Sequence, residues 1–184
     1  VSMDEADEML DLGFREELET LLSAAPETRR TLLFSATVSK PIARLAETFQ
    51  RDAVRINTIS DTDPHADIDY RAHAIAPADV ENAIINVLRF HEAKNALVFC
   101  KTRANVNHLL ARFHNRGLSV VALSGELSQS ERTHALQALR DGRANVCVAT
   151  DVAARGLDLP DLDLVIHADL PTNREALLHR SGRT

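Results

Sequence analysis

Asp4-Glu5-Ala6-Asp7 follows directly on Val1-Ser2-Met3, so three carboxylates stand at the mouth of an expected strand. Carboxylates gathered so closely repel one another and call for a cation, and oxygen ligands at a strand end suit a hydrated Mg²⁺ ion. Such an ion normally comes with a nucleotide. Acidic residues are equally at home in the first turn of a helix, which Glu8-Met9-Leu10-Asp11-Leu12 could continue, so the tetrapeptide alone supports both readings. A second set of groups is cationic: His179-Arg180-Ser181-Gly182-Arg183-Thr184 carries two arginines three apart. A guanidinium keeps its charge at any ordinary pH and meets phosphate oxygens in pairs. A third set offers hydroxyls, amides and glycine turns: Lys101-Thr102-Arg103, Ser124-Gly125 and Thr150-Asp151.

These groups need elements to hold them, and the chain alternates short apolar runs with amphipathic segments. Thr31–Ser35 and Ala53–Asn57 read as buried strands on either side of a helix from about Pro41 to Phe49 capped by Ser39. Thr58 to Asp69 is polar and acidic, contains Pro64 and lacks periodicity, as a linker does. Beyond it the pattern predicts a strand at Tyr70–Ala76, a helix around 78–91, and strands Ala96–Cys100, Ser119–Leu123, Asn145–Ala149 and Asp163–His167. A helix with Val106, Leu109, Leu110 and Phe113 on one face, and another opened by the capping box Ser128-Gln129-Ser130-Glu131, lie between them. Such alternation argues for βαβ units and a parallel sheet. In open parallel sheets ligands bind beyond the carboxyl ends of the strands, where all three polar sets fall. Gln129-x-x-Arg132, opening a helix at one such end, makes Arg132 a strong phosphate-contact candidate; Thr102 could serve only as a helix cap.

The formal net charge is −6, unevenly spread: residues 1–70 hold 7 basic and 15 acidic side chains, residues 71–184 hold 14 and 12. The basic character thus belongs to the second part. With 4% aromatics, no Trp and one Tyr, base-stacking platforms are excluded as the main device, so any nucleic acid is held by its backbone. Cys100 and Cys147 each lie inside an apolar run and are expected as buried free thiols of a reducing cytosol. No apolar run approaches a membrane span and no signal peptide is visible.

Four motifs in fixed order, the acidic tetrapeptide, Ser35-Ala36-Thr37, the run from Ala149 to Asp158 and the terminal HRSGRT, resemble the DEAD-box family of ATP-dependent RNA helicases. The resemblance covers essentially the whole chain. It implies an α/β architecture of RecA-like parallel sheets flanked by helices. Residues 1–58 would be the last part of a first domain, 59–69 a linker, and 70–184 most of a second domain. The family closes its cleft around ATP and RNA together and forces short duplexes apart.

The resemblance also implies roles. Asp4 would hold Mg²⁺ through water, with Glu5 beside it orienting and deprotonating the attacking water. Asp7 would join a network to Ser35 and Thr37. Arg183 matches an arginine finger and Asp158 a residue touching the nucleotide ribose. Gly156, His179 and Arg180 fall in the same nucleotide-facing motifs, although Arg180 and Arg155 also suit structural or interdomain ion pairs. Thr102, Arg103, Gly125, Gln129, Arg132, Thr150 and Gly156 match the family's contacts to the RNA backbone. The implied cofactors are ATP and Mg²⁺, the implied partner is RNA without sequence preference, and the expected location is the cytoplasm, with no membrane.

The chain also departs from the family. No G-x-x-x-x-G-K-[ST] phosphate cradle occurs, and the sequence stops before the last arginine of the family's HRxGRxxR pattern. Glu126 stands where Asp is common and Ser181 where an aliphatic is common. The expectation is an internal fragment, inactive by itself. The rival readings are a non-catalytic RNA-binding or interaction module and a helicase-like ATPase acting on DNA.

Overall fold

Ser2–Met3 and Leu32–Leu33, the apolar segments on either side of the acidic stretch, pair in the computed structural model as parallel strands β1 and β2, with Ser2 opposite Leu32 and Met3 opposite Leu33. The structure describes residues 1–11, 13–35, 40–56, 68–155, 159 and 162–183. It divides into two compact units, Val1–Thr62 and Asp63–Thr184. In the first unit, helices α1 (Ala6–Asp11), α2 (Arg15–Ala24) and α3 (Lys40–Phe49) accompany the two strands. Leu18 and Leu22, four apart on one face of α2, pack with Met3 and Leu45 into a small core edged by Leu33 and Phe49.

Two expected strands are not strands. Ala53–Ile56 is extended but unpaired among the described residues, and Val54 and Ile56 are 84% and 81% exposed. Tyr70–Ala76 is exposed throughout and forms no ladder. Apolar residues in an extended segment give a strand only where a neighbour supplies hydrogen bonds and cover. For the same reason the expected strand 31–35 shortens to two residues with one neighbour. The cap at Ser39, Asn57 and the linker stretch 58–67 lie outside the described residues.

In the second unit a 3₁₀ turn (Pro77–Asp79) leads into α4 (Val80–His91). There follow β3 (Ala96–Cys100), α5 (Arg103–Asn115), β4 (Val120–Leu123), α6 (Gln129–Arg140), β5 (Val146–Thr150), α7 (Asp151–Ala154), β6 (Leu164–His167) and α8 (Arg174–Ser181). The four strands make one parallel sheet in the order β4-β5-β3-β6. Successive side chains of a strand point to opposite faces, and here both faces are covered, so the strands read as unbroken apolar runs. Ala96, Val98, Cys100, Val146 and Val148 pack under α4 and α5, whose Ile85, Leu88, Val106, Leu109 and Phe113 are buried. Leu97, Phe99, Cys147 and Ala149 face α6 and α7 through Leu139, Ala153 and Ala154.

Helix ends follow the local chemistry. Ser128 accepts from the Glu131 N–H at 3.3 Å while its own N–H donates to Glu131 Oε2 at 2.8 Å, completing the expected capping box. Gly117, with φ of +75°, ends α5 so that the Leu118 N–H can return to the Phe113 carbonyl at 3.0 Å. Glu81 clamps α4 to α5, accepting from Arg112 Nε at 2.6 Å and lying 2.5 Å from His108 Nε2; these two partners, His108 first, hold its carboxyl below the usual range against the opposing effect of burial. Both cysteines are free and buried, as expected, and burial pushes each thiol up to about 12. No helix among the described residues is long and apolar enough to cross a membrane.

Candidate functional site

The acidic tetrapeptide turns out to be a strand end and a helix start at once. Asp4 lies just past β1 and is exposed, with its Oδ1 accepting the Glu5 N–H at 3.0 Å. Glu5 has φ of +49°, a left-handed conformation that costs a residue with a side chain roughly 1–2 kcal/mol. Strain of this kind clusters where function demands a geometry. The turn is fixed from both sides: the Phe34 N–H donates to Met3 O at 2.8 Å, the Ala6 N–H to Phe34 O at 3.2 Å, and the Met9 N–H to Glu5 O at 3.2 Å. Asp7, in the first turn of α1, is only 5% exposed. Ser35 follows Phe34 beyond β2, and the parallel register brings it to the same strand ends as Asp4 and Glu5. Thr37 lies outside the described residues.

The carboxylates of this turn fit a hard cation. They offer oxygen donors only, and no group of three His, Cys, Asp or Glu side chains is gathered for direct ligation among the described residues. A cation held here keeps most of its own water, which is the habit of Mg²⁺.

In the second unit the expected contacts line the carboxyl edge of the sheet. Thr102 caps α5, accepting from the Asn105 N–H at 3.1 Å, and next to it Arg103 pairs with Glu126 at 2.5 Å. That pair ties the turn after β3 to the turn after β4, which holds Gly125 and leads to Gln129, the first residue of α6. Both partners are more than half exposed, so the pair contributes at most about 1 kcal/mol and Arg103 can exchange it for a phosphate. Gly125 is exposed, and a Cβ built there would meet nothing within 4 Å. The chain's own packing therefore does not require glycine at this position. Thr150 caps α7, accepting from the Ala153 N–H at 3.4 Å.

Arg132 and Arg180 have tasks inside the unit. Arg132 Nη2 donates to the Ala153 carbonyl at 2.6 Å, closing α6 onto the end of α7. Arg180, expected at the cofactor, is instead 4% exposed and spent on its neighbours. Its Nε and Nη2 meet both oxygens of Asp151 at 2.5 and 2.7 Å, and its Nη1 donates to the Asp169 carbonyl at 2.7 Å and to His167 Nδ1 at 3.3 Å. Its guanidinium also lies 5.1 Å from the centre of the Phe99 ring. A guanidinium with its fork filled on both edges is an anchor, which is the structural ion-pair role that the sequence reading also gave Arg180. His179 and Arg183 are half-buried on either side of this anchor. Gly156 and Asp158 lie outside the described residues.

Asp169, Asn105 and His167 escaped the sequence reading, which named Asp151 only beside Thr150. Asp169 Oδ2 accepts from the Lys101 N–H at 2.7 Å and from Asn105 Nδ2 at 3.0 Å, joining the end of β6 to the end of β3 and the start of α5. Its place just beyond β6 was the available signal, since the other polar sets were found by that same rule. His167 stands opposite Phe99 in the sheet, with the rings stacked 6.2 Å apart. Burial, then the nearby Arg180, lowers its pKa, with Asp151 acting in the opposite direction, so the ring is neutral at pH 7.

The family model for the helicase conserved C-terminal domain matches residues 79–184, and that for DEAD/DEAH box helicases matches residues 1–45. A DEAD-box ATP-dependent RNA helicase 9 from Oryza sativa is 38% identical over all of this chain, which spans 30% of that relative. An ATP-dependent rRNA helicase, RRP3, from Meyerozyma guilliermondii is 40% identical over 99% of the chain and 38% of the relative. Among solved structures, Saccharomyces cerevisiae Dbp5 bound to RNA and ADP BeF3 superposes with a TM-score of 0.81 at 26% identity, covering all of this chain and 49% of that one. A DEAD box protein from Methanococcus jannaschii gives 0.61 at 34% identity, covering 100% and 49%. With parallel sheets of this RecA-like kind, polar groups along their carboxyl edges and both family models matched in order, the chain belongs to the DEAD-box helicase family.

Proposed function

We propose that the chain supplies catalytic and RNA-gripping groups of an ATP-dependent RNA helicase. The observation that carries this reading is the carboxyl edge of the second unit, where Thr102, Arg103, Gly125, Gln129 and Thr150 present hydroxyl, guanidinium, amide and an uncrowded glycine along one rim. Groups of this kind fix a phosphate backbone without reading bases. Arg132, in the first turn of α6, belongs to the same row.

In the first unit Asp4 holds Mg²⁺ through water, and Glu5 takes the proton of the attacking water. Asp7 joins a network to Ser35 and the segment after it. When bound, the metal supplies charge neutralisation to the phosphate oxygens. Arg183 provides the positive charge that a phosphoryl transition state needs, and Asp158 and His179 are assigned to nucleotide binding by the family motifs they match. Two buried, unreactive thiols suit a reducing cytoplasm.

The test is RNA-stimulated ATP hydrolysis by a polypeptide that joins residues 1–184 to a phosphate-binding loop, compared with its Glu5→Gln variant. Turnover should fall by roughly 10²–10⁴-fold with ATP binding retained, the ordinary worth of a positioned proton acceptor. Equal turnover in the two proteins removes Glu5 from the chemistry. Binding of RNA with no nucleotide dependence at all would favour an interaction module instead.

A further inference from the structure

We propose that His167 is a positioning residue for the arginine-bearing end of α8: its neutral ring seats Arg180, and through Arg180 it sets where Gly182 and Arg183 lie. An arginine N–H can only donate, so at the 3.3 Å contact with Arg180 Nη1 the His167 Nδ1 must accept and the ring proton must sit on Nε2. A protonated ring would place an N–H donor against a donor and a positive charge against a positive charge. The contact therefore exists in one protonation state only.

The consequence reaches Arg183 through the backbone. The Arg183 N–H donates to the Arg180 carbonyl at 3.3 Å and the Gly182 N–H to the Leu178 carbonyl at 2.8 Å, so the chain beyond α8 is laid down from the turn that Arg180 anchors. Arg180 is itself held on its other edge by Asp151, on its flank by Phe99 and at Nη1 by the Asp169 carbonyl, so loss of the His167 contact shifts the guanidinium toward those remaining partners. The charged groups that act on the ring are Arg180 from α8 and Asp151 from the start of α7; Cys100 lies on the neighbouring strand β3, and Asp169 follows two residues after the ring. Cys100 does not titrate in the accessible range, because burial pushes its thiol up to about 12. The position matters functionally only if Arg183 faces the nucleotide, so in that respect the inference rests on the reading above, but its geometry does not.

The experiment is a pH titration of the isotopically labelled 184-residue chain by NMR, from about pH 5 to pH 8, where an imidazole changes charge. The His167 ring resonances should titrate with a midpoint below the ordinary 6.5, and the Arg180 Nε–H and the Gly182 and Arg183 amides should shift with that same midpoint. In His167→Asn, which keeps a neutral acceptor and cannot take a proton, the shifts of Gly182 and Arg183 should vanish while the wild-type positions at pH 8 are retained. His167→Ala, lacking the acceptor, should hold these amides at all pH values in the positions that the wild type reaches at pH 5. The proposal is overturned if the ring titrates without moving Arg183, or if the Arg183 shifts persist in His167→Asn. The wild-type titration decides the matter even if a variant fails to fold. It uses no nucleotide and no RNA, so a failed ATPase assay and a failed titration point to different errors.

Discussion

Replacing Arg180 by Met tests the anchor of α8 most directly. The side chain is 4% exposed and its fork is filled by Asp151, whose side chain is 36% exposed. Breaking a buried pair by removing one partner costs about 3–5 kcal/mol, because the other charge is left without compensation. Asp151 reaches water and can be rehydrated, so the low end applies, about 3 kcal/mol. Met keeps an apolar stem against Phe99, so little of the loss comes from packing. At 1.4 kcal/mol per tenfold, the folded-to-unfolded ratio of the second unit falls on the order of a hundredfold. Native-state hydrogen exchange reads this in the amides of 96–100 and 146–150, at the centre of the sheet, which exchange only when the unit opens as a whole. They should exchange on the order of a hundred times faster in Arg180→Met. Adding Asp151→Asn should recover about 1 kcal/mol or more, since part of the penalty is the stranded carboxylate. A change smaller than about threefold in Arg180→Met would put the pair in the class of exposed ion pairs and refute the assignment of Arg180 as an anchor.

Four further outcomes follow from the same structure. Ser128→Ala removes the capping box of α6 and should cost the second unit about 1 kcal/mol, measured by urea unfolding. Arg132→Ala should flatten the dependence of log K on log salt for single-stranded RNA by about 0.7 if one phosphate contact is lost, equally for all sequences. The same variant should also lower stability through the lost Ala153 bond, which thermal unfolding separates from binding. Because the folded-state pKa of His167 lies below its unfolded value of 6.5, the unfolded chain takes up the proton first; stability should hold above pH 6.5 and decline as the pH falls from there to the folded-state value, an effect that His167→Asn removes. In the isolated 184-residue chain, amides 31–35 should exchange faster than 96–100 and 145–149, since β2 has one neighbour and β3 has two.

What the sequence made legible was whatever depends on near neighbours. Ala96–Cys100 announces itself because a strand covered on both faces has no polar position, and the Ser128–Glu131 box because its two hydrogen bonds span three residues. The candidate rim was found by one rule, that polar groups after apolar runs in a parallel sheet share an edge. Helix α2 was missed because only Leu18 and Leu22 are buried in ten residues, too sparse a stripe to stand out. Ala53–Asn57 misled because strand pairing is decided by a partner elsewhere in the chain. The ion-pair role of Arg180 was legible but its partners were not, for a related reason: Asp151 lies 29 residues away, His167 13 and the Asp169 carbonyl 11, and no local pattern reports that three elements end at one point. The bond from Arg132 to the Ala153 carbonyl was hidden in the same manner, its acceptor being 21 residues further on.

The strand order also has a consequence for how the protein is made. β3 sits between β5 and β6, and both are translated after it. Forty-six residues separate Cys100 from Val146. At about 5–20 residues per second, a ribosome therefore leaves Ala96–Cys100 without either partner for roughly 2–9 seconds. That segment is apolar and uncharged at every position, the composition most prone to pair with copies of itself. The charges just outside it, Lys94 before and Lys101 and Arg103 after, act during that interval as gatekeepers, and β4, although made earlier than β5, offers no relief because it pairs with β5 alone. Over that interval the exposure of β3 depends on synthesis rate and not on the stability of the finished sheet.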